Sequence, residues 1–256
     1  MPRLCRRRCA RRRPPHAQRA SADGRYSHTQ ATPYPLGSRR LIRGAHTKIC
    51  RSVYIERMPS KGDLTKARLA ASMLELIQTN GYSGTGLNAV IDHAGAPRGS
   101  VYFHFPEGKE ALGAAAVDLA RAQFETLIAE AAATAGGPAA AARSTIEALA
   151  SIVVESDFQL GCPVSVVTLE MGANSDRLRQ ACATAFESWI TPVARLLENG
   201  GLGADAARSL ATVIVSTIEG AVIVARALRS AEPLAAAADI VSQLIDQRLQ
   251  STAVAR

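Results

Sequence analysis

The side chains best equipped for chemistry are gathered between Pro97 and Lys109, and that chemistry is recognition of base edges and anions. Arg98 carries a guanidinium fork that can donate two hydrogen bonds to a guanine edge, whereas Ser100 reads only weakly. Gly99 permits close backbone approach. Val101 and Phe105 fall four apart and so turn inward on a helix, which leaves Arg98, Gly99, Ser100, Tyr102 and His104 on the outer side. Lys109 stands at the start of a further helix, where the first peptide N–H groups already favour an anion. A packed role is open for two of these residues, because a tyrosine at helical spacing and a histidine between aromatics both serve as core. Catalysis would need a convergent acid, base, nucleophile or metal set. From Met58 onward the only histidines are His93 and His104, and there is no glycine-rich phosphate loop and no metal-ligand spacing. Neither an enzyme nor a cofactor is expected.

The elements that must position these residues are helices. Asp63 or Thr65 can cap a first helix whose apolar residues Ala70, Met73, Leu74 and Ile77 keep the 3.6-residue period, and Asn80-Gly81 ends it. Thr85-Gly86 opens a shorter helix with Leu87, Val90, Ile91 and Ala94 on one face. Gly95 closes it, and Pro97 suits the first turn of the next, where its missing N–H would have gone unpaired. Two short helices joined by Ala94-Gly95-Ala96 have the proportions of a helix-turn-helix, a spacing that many buried helical pairs share. A long helix follows from Lys109 to about Ala133 and stops at Gly136-Gly137-Pro138. Further helices are predicted around Ala139 to Ser156, Pro163 to Met171, Asp176 to Glu198, Ala204 to Arg229 and Leu234 to Leu249. Abundant alanine and only 4% aromatic residues agree with an all-α fold.

The run GYSGTGLNAVIDHAGAPRGSVYFHFPEGKEAL, Gly81 to Leu112, resembles the signature of the TetR (tetracycline-repressor) family along its whole length. The matching elements are Gly81-Tyr82, Thr85, Ala94-Gly95, Arg98-Gly99-Ser100, the Tyr102-Phe103-His104-Phe105 block, and Lys109-Glu110 with Leu112. Family members usually carry Ser at the position of Pro97 and a link one residue shorter before the lysine. Pro97, the PEGK of Pro106 to Lys109 and GCPVSVVTLE from Gly161 to Glu170 are similar to the LmrA-like subgroup. The resemblance implies a dimeric, ligand-responsive transcriptional repressor that binds double-stranded, palindromic operator DNA. It implies a helix-turn-helix domain over residues 58–108 and a helical effector-binding and dimerisation domain over 109–256. By resemblance Thr85, Tyr102, His104 and Lys109 are phosphate contacts. The effector domain implied for relatives takes lipophilic molecules, drugs or plant-type aromatics among them. Phe124, Phe158, Met171, Phe186 and Trp189 are therefore the expected pocket lining, with Glu170 and Gln159 as polar handles; plain core is the competing reading for each apolar residue.

Charge divides the chain. Residues 1–57 hold fifteen Lys or Arg against two Asp or Glu, so although the whole chain carries +8, the remainder has fifteen basic and twenty acidic groups. DNA binding by that remainder must rest on a local patch. The segment 1–57 has no apolar period and reads as a disordered basic extension. Three origins are open: a nonspecific nucleic-acid arm, an organelle transit peptide, or a misassigned start upstream of Met58, which the natural opening MPSKGDLTKARL favours. Cys162 and Cys182 lie far apart with no ligand spacing, as in a reduced cytoplasmic protein. Leu210 to Leu228 is nearly long enough to cross a bilayer, but Glu219 at its middle favours burial in protein, for instance at a subunit interface. The last two helices, with Leu210, Val213, Ile214, Ile218, Val222 and Leu244, are the expected dimer bundle. The rival to regulation is a helical dimer whose basic tail binds nucleic acid by charge alone.

Overall fold

The structure, a computed structural model, describes residues 61–254; the predicted basic extension over residues 1–57 lies outside the described residues. Among the latter every element is helical: α1 (Lys61–Gly84), α2 (Leu87–Ala94), α3 (Ser100–His104), α4 (Lys109–Thr134), α5 (Pro138–Glu155), α6 (Pro163–Met171), α7 (Asp176–Asn199), α8 (Ala204–Leu228) and α9 (Glu232–Val254). The bounds follow the punctuation in the sequence. Helical backbone in α1 breaks at Gly81, with φ 76° and ψ 166°. Gly95 ends α2 in the left-handed region, where its N–H reaches the Asp92 carbonyl and the Ala96 N–H reaches that of Ile91. Pro138 and Pro163 each stand at a helix start. Ser175 caps α7 by accepting from Leu178 N at 3.3 Å. Asp63 and Thr65, expected before α1, lie inside its first turns. Pro97 precedes regular helix instead of opening it: its carbonyl takes the Ser100 N–H at 2.9 Å in a tight turn, and α3 begins at Ser100.

Hydrophobic packing does not part at residue 108. One core joins α1, α2 and α3 to α4, α6 and α7, running from Leu69, Met73 and Ile77 through Val90, Val101 and Phe105 to Leu112, Leu178 and Trp189. A second core joins α5, the later part of α7, α8 and α9 through Ile146, Leu197, Ile214, Ile218, Leu234 and Ile245. Helix α4 packs on α1 and on α7, so the first three helices and the later ones share one wall. The tightest point in that wall is Gly113. A Cβ there would come within 2.6 Å of Tyr82 Cε2 and 3.3 Å of Leu178 Cδ2. A glycine in mid-helix ordinarily costs about 1 kcal/mol relative to alanine, and close approach of α1 and α7 is what offsets it.

Helix α8 is long and apolar enough to cross a membrane by length and composition, yet 44% of its most apolar stretch is buried within the chain. Glu219, at its middle, accepts a short hydrogen bond from the Ser165 hydroxyl of α6. Burial raises the Glu219 carboxyl above its usual range, against the opposing hydrogen bonds from Ser165 and Cys162. Burial and the neighbouring Glu219 together push the Cys162 thiol well above its ordinary value, which leaves little thiolate for redox sensing. Of the residues expected at a dimer seam, Leu210, Ile214, Ile218 and Val222 are buried in the protomer's own core. Apolar periodicity alone does not say which side of a two-sided helix is internal. The apolar side chains left exposed are Val213, Ile223, Val224 and Leu228 on α8 and Ile240 on α9.

Two outcomes follow from this packing. Gly113→Ala lowers the unfolding free energy by about 1 to 2 kcal/mol, overpacking exceeding the gain in helix propensity; an unchanged or raised urea midpoint would show that Tyr82 and Leu178 move aside freely. Glu219 is penalised when ionised in the fold, so its contribution to stability is full below the ordinary value of 4.5 and is lost as pH rises through the raised folded value. The stability of Glu219→Gln relative to wild type therefore increases from pH 4.5 towards neutrality. A difference that stays flat with pH would mean that Glu219 titrates normally.

Candidate functional site

Helix α3 is anchored from one side and bare on the other. Val101 is fully buried and Phe105 nearly so, as their four-residue spacing predicts. Lys66 of α1 places its ammonium 5.6 Å from the Phe105 ring centroid, a cation–π contact that supports the anchor from behind. Outward, Pro97, Arg98 and Gly99 are exposed, Tyr102 is 63% exposed and Phe103 80% exposed. Both aromatics are thus surface residues, and the packed alternative for Tyr102 is set aside. His104 is half-buried and meets the Phe103 ring edge-on, with centroids 4.9 Å apart. The Ser100 hydroxyl donates to Pro97 O at 2.6 Å, which commits its proton and leaves its lone pairs to accept from a base amino group.

Two residues implied as phosphate contacts are placed differently from each other. Thr85 is only 1% exposed, and its hydroxyl donates to Gly81 O at 2.6 Å. The side chain thus closes the α1–α2 turn from inside. Lys109 is half-buried at the start of α4, its ammonium 4.4 Å over the Tyr82 ring and 3.5 Å from Ser83 O. Burial lowers its pKa from the ordinary value, and Glu170 opposes that shift. Tyr82 beneath it is buried, and its phenol is pushed up to about 12 by burial first and by Glu110 second. Lys109 therefore rests on an aromatic platform at the turn between α1 and α2.

Of the residues expected around an effector, Phe124, Phe186 and Trp189 come together and the others lie apart from them. Phe124 and Trp189 meet edge to face at 4.6 Å between centroids, and Phe186 meets Trp189 at 5.4 Å. Trp189 Nε1 donates to Arg121 O at 3.2 Å, so the indole is tied to α4. Beside this stack lies a narrow cavity of about 30 Å³, lined by Phe124 together with Ile128, Thr145, Val193, Leu197 and Ile218 among others. Phe186 and Trp189 back the cavity without lining it. Phe158 is elsewhere, in the turn after α5, with Arg229 over its ring. Met171 packs against the first core. Gln159 is exposed; its backbone carbonyl accepts from Arg226, and its side-chain amide donates to Asp157 O at 3.5 Å. Glu170 turns away from the interior and accepts from Ser83 N at 2.6 Å. Aliphatic lining is indistinguishable from core in a sequence, which is why Ile128, Val193, Leu197 and Ile218 were missed. Thr145 gave no signal either, since its hydroxyl donates to Ala141 O within α5 at 2.9 Å. A larger hollow of about 910 Å³ is an open groove between α4 and α7, with Glu125, Glu187 and Arg195 among its lining.

Comparison with known proteins agrees with this geometry. Residues 70–116 match the family model described as bacterial regulatory proteins, tetR family, and residues 138–240 match that of the LmrA/YxaF-like transcriptional regulator C-terminal domain. The HTH-type transcriptional regulator LmrA of Bacillus subtilis is 31% identical over 175 residues, which span 68% of this chain and 93% of LmrA. The HTH-type regulator YxaF of the same organism is 32% identical over 191 residues, 75% of this chain and all of YxaF. Among solved structures, a TetR regulatory protein from Rhodobacter sphaeroides superposes with a TM-score of 0.64 at 27% identity, covering 70% of this chain and 98% of that one. An anchored reading helix in an all-helical chain, matched over both halves by regulators of one kind, leads to one assignment: this chain belongs to the TetR family of helix-turn-helix transcriptional regulators, in its LmrA/YxaF-like group.

Proposed function

We propose that the protein is a cytoplasmic repressor that binds a palindromic operator as a homodimer and is released by a small lipophilic or aromatic effector. The observation that carries the DNA-reading half is α3, whose Val101 and Phe105 are buried while Arg98, Gly99, Tyr102 and Phe103 face out. In this reading residues 58–108 form the reading head and 109–256 the effector and dimer part. Arg98 donates to a guanine edge, Gly99 lets the backbone approach, and Pro97 and Ser100 shape the entry to the groove. Tyr102, His104 and Lys109 hold phosphates on either side. The exposed apolar residues of α8 and α9 supply the self-complementary face of a four-helix bundle. Two heads related by that axis meet successive major grooves, about 34 Å apart.

For the effector, the narrow cavity next to Phe124 is the site of choice over the open groove, because its lining is almost wholly apolar. At about 30 Å³ it is far below the roughly 300 Å³ or more of a small-molecule site, so an aromatic effector has to enlarge it. Phe124 lies fifteen residues beyond Lys109 on α4, roughly 22 Å along the axis. Opening the cavity displaces that helix and with it the head. The effector then weakens operator binding by no more than its difference in affinity for the two arrangements.

Substitution separates the two kinds of DNA contact. Arg98→Ala costs about 1 to 3 kcal/mol on the operator and relaxes discrimination at one base position; Lys109→Ala weakens all duplexes alike and makes the salt slope shallower by about one unit. Binding titrations at several salt concentrations measure both. Equal losses on every sequence from Arg98→Ala would move that residue to the phosphate backbone and remove the base reader from this account.

A further inference from the structure

The last residue but one of α6, Glu170, reaches out of the sensor part to the turn that joins α1 to α2. Its carboxylate accepts the Ser83 N–H at 2.6 Å, a charge-assisted bond. The approach is close enough that a Cβ on Gly81 would lie 2.4 Å from Glu170 Oε1. Gly81 also holds φ 76°, a conformation that side chains seldom adopt, so both backbone and space demand glycine there. Three more contacts fix the same turn. Thr85 closes it from inside through Gly81 O, Lys109 faces the Ser83 carbonyl from α4, and Gln78, just before the turn, reaches Gly161 O at 3.5 Å. Ser83 is therefore held by its N–H from α6 and by its C=O from α4.

This arrangement has a mechanical meaning. Helices α2 and α3 follow directly on that turn, so its orientation sets how the reading surface is aimed relative to α4 and α6. Other polar ties exist, namely Arg177 with Glu107 and the Ser175 hydroxyl with Glu110, but these join the start of α7 to the start of α4 and the loop before it. Glu170 acts instead on the α1–α2 turn. Its helix is in turn bound to α8 through Ser165 and Glu219.

We propose that Glu170 is a positioning residue for operator binding: by accepting the Ser83 N–H it fixes the angle of the reading head on the sensor part, and so the separation of the two heads. This rests on the two-headed reading of the operator given above. Glu170 touches no DNA in this account. Its loss leaves each head able to bind and takes away the preference for one half-site spacing.

The test uses full-length protein and a duplex that the wild type selects from a random pool. Three versions of it are compared: the selected spacing, the spacing lengthened by two base pairs, and a single half-site. For Glu170→Ala, affinity for the selected duplex falls about tenfold, the preference over the lengthened one shrinks by a similar factor, and half-site affinity stays within about twofold, because rigid geometry sets effective concentration. Glu170→Gln keeps an oxygen to accept from Ser83 and retains most of the wild-type preference. An Ala variant with undiminished spacing preference overturns the proposal, as does an equal loss on the half-site, which would make Glu170 merely part of the head's fold. A Gln variant no better than Ala overturns it too. Amide hydrogen exchange gives a readout independent of the operator: Ser83 is protected in wild type and exchanges fast in Glu170→Ala, while α4 amides are unchanged. Should the wild type select no two-part site, the two-headed reading fails by itself. Equal Ser83 exchange in both proteins would defeat the Glu170 assignment.

Discussion

Helix α4 has to serve two partners along one length, and the contact that lets it do so is the meeting of Tyr82, Gly113 and Leu178. Because Gly113 has no side chain, α1 presses Tyr82 onto α4 from one side while Leu178 arrives from α7 on the other. All later geometry inherits that closeness. The Tyr82 ring becomes the platform for Lys109, and the α1–α2 turn comes within reach of Glu170. A core that is continuous from Leu69 to Trp189 transmits displacement better than two domains on a linker would, since packed interiors are stiff and densely filled.

Electrostatics contribute position more than attraction. From Met58 onward acidic groups outnumber basic ones, and the cations at the head among the described residues include Lys66 behind Phe105, Arg98 on the exposed turn and Lys109 on Tyr82. Lys109 is moreover accompanied by Glu170, which offsets part of its charge. A head so composed relies on placing a small number of donors accurately. That requirement explains why so many of the polar contacts converge on segments flanking the head and not on the reading face itself.

Much of this was legible in the sequence, for physical reasons. Glycine and proline mark helix ends whatever the tertiary context, so the bounds of α2, α4, α6 and α7 fell within a residue or two of those expected. The inward pair Val101 and Phe105 followed from period alone. The sequence is ambiguous where one residue type serves two ends. Thr85 and Glu170 are polar, and the sequence pointed to phosphate and effector; both instead bind backbone in the α1–α2 turn. Phe158 and Met171 were taken for lining because aromatic and thioether side chains suit ligands, yet they suit cores equally. The cavity's aliphatic wall carries no mark at all. Gly113 did carry one, a glycine in the middle of an otherwise excellent helix, which in hindsight announces a close crossing.

The central claim is that each head is rigidly aimed by its contacts with α4 and α6, so that the separation of two heads in a dimer is a property of the protein before DNA arrives. Pulsed electron resonance between spin labels on an unnatural amino acid at exposed position 88 of α2 measures that separation directly. The account predicts a single narrow distance distribution in the DNA-free protein, unchanged when operator is added and consistent with heads about 34 Å apart. A broad distribution that narrows only on operator would contradict it, because the heads would then be aimed by the DNA and not by the fold.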